Sequence, residues 1–219
     1  MHSGVAVEAP TKSNTKPVVF VVDADVSVRE SLQRLIASAG WQPETFPSAQ
    51  GFLARPRPSV PSCLVLDVKL PGLSGLDIQA QLAERTDTPI IFLTGYSDIR
   101  TAVQAMKAGA IEFLTKPFIA EQLLAAIRHA IERSGVAARS IAHIQILGER
   151  YELLTSRERD VMTQVVTGLL NKQVGWELGI SETTVKAHRG QVMRKMKADS
   201  LADLVRMAAR LGLSPATTQ

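Results

Sequence analysis

The 219-residue chain has one cysteine, Cys63, so no internal disulfide can form. Its place in the apolar run Cys63-Leu64-Val65-Leu66 reads as a small core residue rather than a nucleophile. The four histidines, His2, His129, His143 and His188, never fall three or four apart, which leaves no transition-metal pair on one helix face. No stretch approaches the roughly 18 uninterrupted apolar residues of a membrane span. The start, Met1-His2-Ser3-Gly4-Val5, lacks the charged region and apolar block of an export signal. The expectation is a cytoplasmic protein with no membrane partner.

What is present is enough apolar residue, 45%, to bury a core in each of two ordinary domains. Charge divides unevenly. Residues 17–134 carry 11 Lys/Arg against 12 Asp/Glu, whereas residues 135–219 carry 12 against 8. A basic C-terminal third beside a near-neutral remainder fits a nucleic-acid-binding module attached to something else.

Residues 1–16 mix Ser, Thr, Pro, Lys and Asn without periodicity and read as a disordered leader. Strand-like runs at 18–22, 41–46, 63–66, 90–93 and 111–114 then alternate with helical stretches near 27–39, 48–54, 75–85, 98–108 and 120–133. Five alternations predict an α/β domain over 17–134 with a parallel sheet covered on both faces. Its working edge lies at the carboxyl ends of the strands. Ser27, with Glu30 three residues on, is the expected cap of the first helix, and Ser134-Gly135 the expected end of the fifth. A helical linker follows over 135–152, with Ile141, Ile144, Leu147, Tyr151 and Leu154 on one stripe; it can pack on the chain's own domains or form a seam between two protomers. Residues 153–213 predict helices only, near 156–167, 171–178, 182–196 and 200–211, and a short tail occupies 214–219.

At the working edge the sequence places Asp23 and Asp25 after the first strand, Asp67 after the third, Thr94 after the fourth, and Lys116-Pro117 after the fifth. A carboxylate is a poor nucleophile toward an anionic phosphoryl donor, and clustered acids imply the divalent cation that removes the repulsion. Asp67 would be the nucleophile and, with Asp23, Asp25 and the main-chain carbonyl of Lys69, would supply oxygens to Mg2+. Lys116 and Thr94 would contact the phosphoryl oxygens.

These residues carry a resemblance. Asp23, Asp67 within Leu-Asp-Val-Lys-Leu-Pro-Gly-Leu-Ser-Gly, Thr94 within Phe-Leu-Thr-Gly, Phe113, and Lys116 within Thr-Lys-Pro-Phe resemble the receiver domain of two-component response regulators of the NarL/FixJ type. The resemblance implies a flavodoxin-like, doubly wound, five-stranded fold, a phospho-acceptor at Asp67, switch residues at Thr94 and Phe113, and a sensor histidine kinase as donor. Phe113 is equally readable as plain core. One position departs from the family, which usually has two adjacent acids after the first strand: here Asp23 is followed by Ala24. Alanine offers no oxygen, so weaker Mg2+ binding and slower phosphorylation are expected unless Asp25 bends inward. The departure also keeps open a degenerate receiver that acts unphosphorylated or under a partner's control. A flavodoxin-like cofactor binder is a third reading, but Asp23-Ala24-Asp25 would repel a cofactor phosphate.

In the C-terminal segment two helices meet at Gly179-Ile180-Ser181, a helix-turn-helix arrangement whose second helix is studded with Lys186, Arg189, Arg194, Lys195 and Lys197. Leu-Thr-Ser-Arg-Glu at 154–158, Asn171-Lys172, Leu178-Gly179-Ile180-Ser181 and Thr183-Thr184-Val185-Lys186-Ala187-His188-Arg189 resemble a LuxR-type DNA-binding domain. The resemblance implies double-stranded promoter DNA as partner, a homodimer when active, and RNA polymerase as a further contact. Lys172, Thr184, Lys186 and Arg189 are the candidate DNA contacts. Gly190 and Gly175 stand out as glycines inside helices, and Trp176 as a candidate for packing on the linker or the receiver.

Overall fold

The computed structural model describes residues 16–82, 88–95 and 99–213. The tail at 214–219 and all of the expected leader but Lys16 lie outside them. Elements run β1 (Val18–Val22), α1 (Val26–Ser38), β2 (Gln42–Phe46), α2 (Ala49–Leu53), β3 (Ser62–Asp67), α3 (Gly75–Gln81), β4 (Ile90–Thr94), α4 (Ile99–Lys107), β5 (Glu112–Thr115) and α5 (Ala120–Glu152). The helices α6 (Ser156–Val166), α7 (Asn171–Leu178), α8 (Glu182–Met196) and α9 (Leu201–Arg210) follow.

The five strands pair in parallel in the order β2-β1-β3-β4-β5. Because side chains alternate along a strand, the continuous apolar runs split between two faces. Phe20, Val22, Leu64, Leu66 and Phe92 pack with Phe52 and Ile78 from α2 and α3. Val19, Val21, Cys63, Val65, Ile91 and Leu93 pack with Leu32 and Ile36 of α1 and with Leu123 and Ile127 of α5. Cys63 is fully buried, and burial pushes its thiol well above the ordinary range, in keeping with a core residue. The order reverses between β1 and β3, so the ends of those strands border the crevice where such sheets bind ligands.

Local causes set the element ends. Asp25, not Ser27, caps α1: its Oδ1 accepts from the Ser27 N–H at 2.8 Å and the Val28 N–H at 3.4 Å. Ser27 therefore donates where it was expected to accept. Gly40 and Gly109 form C-terminal turns after α1 and α4, with φ of 92° and 91°.

Helix α5 does not end at Ser134-Gly135 but continues without a break to Glu152. Ser134 is buried, and its Oγ accepts from the Ser62 N–H at 3.1 Å, so a residue read as a breaker is held by the start of β3. The chain divides into two compact units, 1–138 and 139–219. In the second, Leu147 and Leu154 are buried and Tyr151 packs beside them, with Val161, Val174, Val185, Val192, Met196 and Leu204 forming the core. The stripe thus splits: its later members join this core, whereas Ile141 and Ile144 are each 46% exposed.

Candidate functional site

The ends of β1, β3 and β5 bring Asp23, Asp67 and Lys116 within hydrogen-bonding distance. Lys116 Nζ lies 2.5 Å from Asp23 Oδ2 and 2.9 Å from Asp67 Oδ2. Burial alone would lower the lysine's pKa, but its hydrogen bonds to Asp23 and Asp67 outweigh that and leave it raised. The ammonium therefore stays charged between the two acids. The remaining carboxylate oxygens are fixed by backbone: Asp23 Oδ1 accepts from the Asp25 N–H at 2.9 Å, and Asp67 Oδ1 from the Lys69 N–H at 3.0 Å. Arg29 Nη1 donates to the carbonyls of Asp23 and Ala24 at 2.8 and 2.9 Å, bracing the turn from behind. The Lys116-Pro117 bond is cis.

An open cleft of about 440 Å³ faces this cluster, lined among others by Ala24, Asp25, Lys69 and Gly95. Ala24 contributes only a methyl there. Asp25 lines the cleft, but one of its oxygens is engaged in capping α1. Thr94 ends β4 and is 1% exposed, and its carbonyl accepts from the Lys116 N–H at 2.7 Å. Phe113 on β5 is half-buried, with its ring centroid 6.1 Å from that of Phe92. Among the described residues no group of three or more His, Cys, Asp or Glu is gathered tightly enough to hold a metal by side chains alone. The carboxylates of Asp23 and Asp67 are of the kind that Mg2+ takes, since it usually binds one or two carboxylates and keeps several waters.

Sequence reasoning missed Gly75. An added Cβ there would lie 2.7 Å from the Asp67 carbonyl oxygen and 2.9 Å from Phe92 Cε1. The Gly75 N–H donates to the Val68 carbonyl at 2.9 Å, so α3 starts hard against the loop that carries the acid. The Pro-Gly-Leu-Ser-Gly string is rich in turn-forming residues, and only the packing distinguishes its second glycine.

In the helical unit, Thr155 caps α6 in a capping box with Glu158. Glu158 is 5% exposed and its Oε2 accepts from Lys195 Nζ at 2.6 Å, which ties α6 to α8. Gly179 adopts φ 64° at the end of α7, and Ser181 caps α8. Helix α8 buries Val185, Val192 and Met196; Thr183, Lys186, Ala187, Gly190 and Arg194 lie exposed.

The four candidate DNA contacts divide. Lys172 is exposed at the start of α7. Lys186 is exposed and pairs with Glu182, one turn back, at 2.9 Å. Thr184 is half-buried, its hydroxyl 2.8 Å from Ser181 Oγ, and Arg189 Nη1 donates to Asn171 Oδ1 at 3.0 Å. Trp176, expected to pack, is 83% exposed.

A parallel sheet of this order with an acid-lysine cluster at its strand ends, followed by a helix-turn-helix, defines a class, and comparison with known proteins agrees. Residues 19–128 match the model of the response regulator receiver domain, and residues 152–208 that of the bacterial regulatory proteins of the luxR family. The chain belongs to the two-component response regulators that carry a LuxR-type DNA-binding domain; these are transcription regulators rather than enzymes.

It is 50% identical over 213 residues to nodulation protein W of Bradyrhizobium diazoefficiens, covering 95% of this chain and 92% of that one. It is 46% identical over 200 residues to response regulator protein TodT of Pseudomonas putida strain F1, covering 91% and 88%. Among solved structures, response regulator StyR superposes with a TM-score of 0.78 at 45% identity, covering 89% of this chain and 99% of StyR. No helix among the described residues is long and apolar enough to cross a membrane.

Proposed function

We propose that Asp67 accepts a phosphoryl group from a sensor histidine kinase and that the modification controls promoter binding by the helix-turn-helix. The Asp67 carboxylate oxygen attacks phosphorus, the bond from phosphorus to the donor nitrogen breaks, and an acyl phosphate forms. The observation that carries this reading is the Lys116 ammonium set 2.9 Å from Asp67 and 2.5 Å from Asp23, since it supplies positive charge where a phosphoryl oxygen would arrive. Thr94 would donate a hydrogen bond to another phosphoryl oxygen, and Thr94 with Phe113 would relay the change. Asp23, Asp67 and the Lys69 carbonyl would hold Mg2+, with Asp25 as a further candidate oxygen. Bound there, Mg2+ would lessen the repulsion between donor and carboxylate. Ala24 removes one oxygen, so the cation is held weakly.

Phosphorylation would favour a homodimer or a released DNA-binding domain by shifting existing populations, with RNA polymerase as a partner on the promoter and the cytoplasm as the setting. Lys172 and Lys186 would contact DNA phosphates from their exposed positions. Thr184 and Arg189 would reach DNA only on leaving Ser181 and Asn171.

Ala24 supports a second reading, a receiver that acts unphosphorylated or under a partner's control. Incubation with acetyl phosphate and Mg2+, followed by intact-mass measurement, separates the two. A phosphoryl adduct on the wild type that is absent from Asp67→Asn supports the first reading, and an unmodified wild type supports the second.

A further inference from the structure

Glycine inside a helix is costly, and two glycines in the helix-turn-helix raise the question of what offsets the cost. For Gly175 in α7 the protein itself answers. An added Cβ would sit 2.7 Å from the Ile180 carbonyl oxygen, so the tight turn into α8 requires a hydrogen there. For Gly190 in α8 the protein supplies no answer. An added Cβ meets no atom within 4 Å outside the helix's own backbone, and φ is not in the left-handed region.

Open space alone decides nothing, since Gly148 in α5 has it too. What sets Gly190 apart is its place on α8. At 3.6 residues per turn it shares the outward face with Thr183, Ala187 and Arg194, with Lys186 alongside, opposite the buried Val185, Val192 and Met196. Lys186 and Arg194 bracket it with positive charge, and no bulky apolar side chain stands on that face. The backbone of α8 is thus bare at the centre of its basic side.

We infer that Gly190 is a specificity-determining position: its missing side chain lets the α8 backbone come close to one base-pair edge in the major groove, and a methyl group there would meet DNA rather than protein. The inference rests on the DNA-binding reading of α8 and adds to it the position at which that helix approaches the bases most closely.

The test uses the full-length chain and double-stranded oligonucleotides with a random core, selected over repeated rounds by the wild type. One selected duplex and the unselected pool are then titrated with wild type, Gly190→Ala, Gly190→Ser and Lys186→Ala, and each variant is melted. Gly190→Ala should raise the melting temperature of the helical unit by roughly 4 °C, because it removes a helix-breaking residue without a clash. Both Gly190 variants should bind the selected duplex on the order of tenfold more weakly and the pool as the wild type does. Gly190→Ala binding the selected duplex as tightly as the wild type overturns the inference. So does an equal loss on the pool, or a wild type that enriches no sequence. Lys186→Ala should weaken both titrations. If it changes neither, the assignment of this face to DNA fails, an outcome separate from failure at Gly190 alone.

Discussion

In the receiver, Lys116 turns inward, its side chain 20% exposed, against two carboxylates that backbone N–H groups also hold. In the helical unit, Lys186 stands 62% exposed and pairs with Glu182 one turn away. The first cation is fixed before any ligand arrives, whereas the second is loosely held and solvated. A buried ion pair adds little net stability, but it holds its members in register, as a site for a small phosphoryl group requires. An exposed pair is worth little to the fold and is readily exchanged for phosphate when DNA arrives. On the proposed function, the first arrangement suits positioning a reaction and the second suits meeting a large polyanion.

The sharpest way to break the comparison is to loosen the receiver's backbone while leaving its charges in place. Gly75→Ala should cost the receiver about 1–3 kcal/mol in urea unfolding, because the added methyl meets the Asp67 carbonyl and the Phe92 ring at less than 3 Å. Acetyl phosphate should then modify the variant more slowly. Undiminished stability and rate would show that α3 can shift freely and that the acid's loop does not depend on it.

The helical unit has a charge pair of the receiver's kind, Lys195 with Glu158, and it gives the next largest effect. Lys195 holds the Glu158 carboxyl below the usual carboxylate range against the opposing pull of burial, with the Thr155 N–H assisting. A lowered folded-state pKa contributes stability above the unfolded value, and that contribution is lost as pH falls through the folded value. Lys195→Met should therefore cost about 1–2 kcal/mol at neutral pH and move acid unfolding of this unit to higher pH. Circular dichroism melts from pH 3 to 7 would register both, and an unmoved acid transition would remove Glu158 from the account.

The smallest effect concerns the cation. Ala24→Asp restores a carboxylate to the cleft and should tighten Mg2+ binding by roughly tenfold in calorimetric titration. An unchanged affinity would mean that Asp25 or water already supplies the oxygen.

The parts of the molecule that could be read from sequence were those fixed by local pattern. Uninterrupted apolar runs marked β1, β3 and β4, turn chemistry marked Gly179, and the starts of α7 and α8 fell where Asn171 and Ser181 put them. Asp23, Asp67 and Lys116 could be placed together because a parallel sheet gathers its strand ends on one edge. What escaped was set by distant partners. Ser134 continues a helix because Ser62, 72 residues away, donates to it. Arg189 turns to Asn171 and not outward, and Gly75 has its meaning only once α3 is packed on β3. Asp25 was read as a metal oxygen before its competing task as helix cap was visible.

The central claim is that modification of one carboxylate is felt by the DNA-binding face, and one titration addresses it most directly. A duplex selected by the wild-type chain is titrated with wild type and Asp67→Asn, each with and without acetyl phosphate and Mg2+. The account predicts that acetyl phosphate tightens binding by the wild type and leaves Asp67→Asn unaffected. Equal affinities for all four samples, with the wild type shown by mass to be phosphorylated, would contradict it.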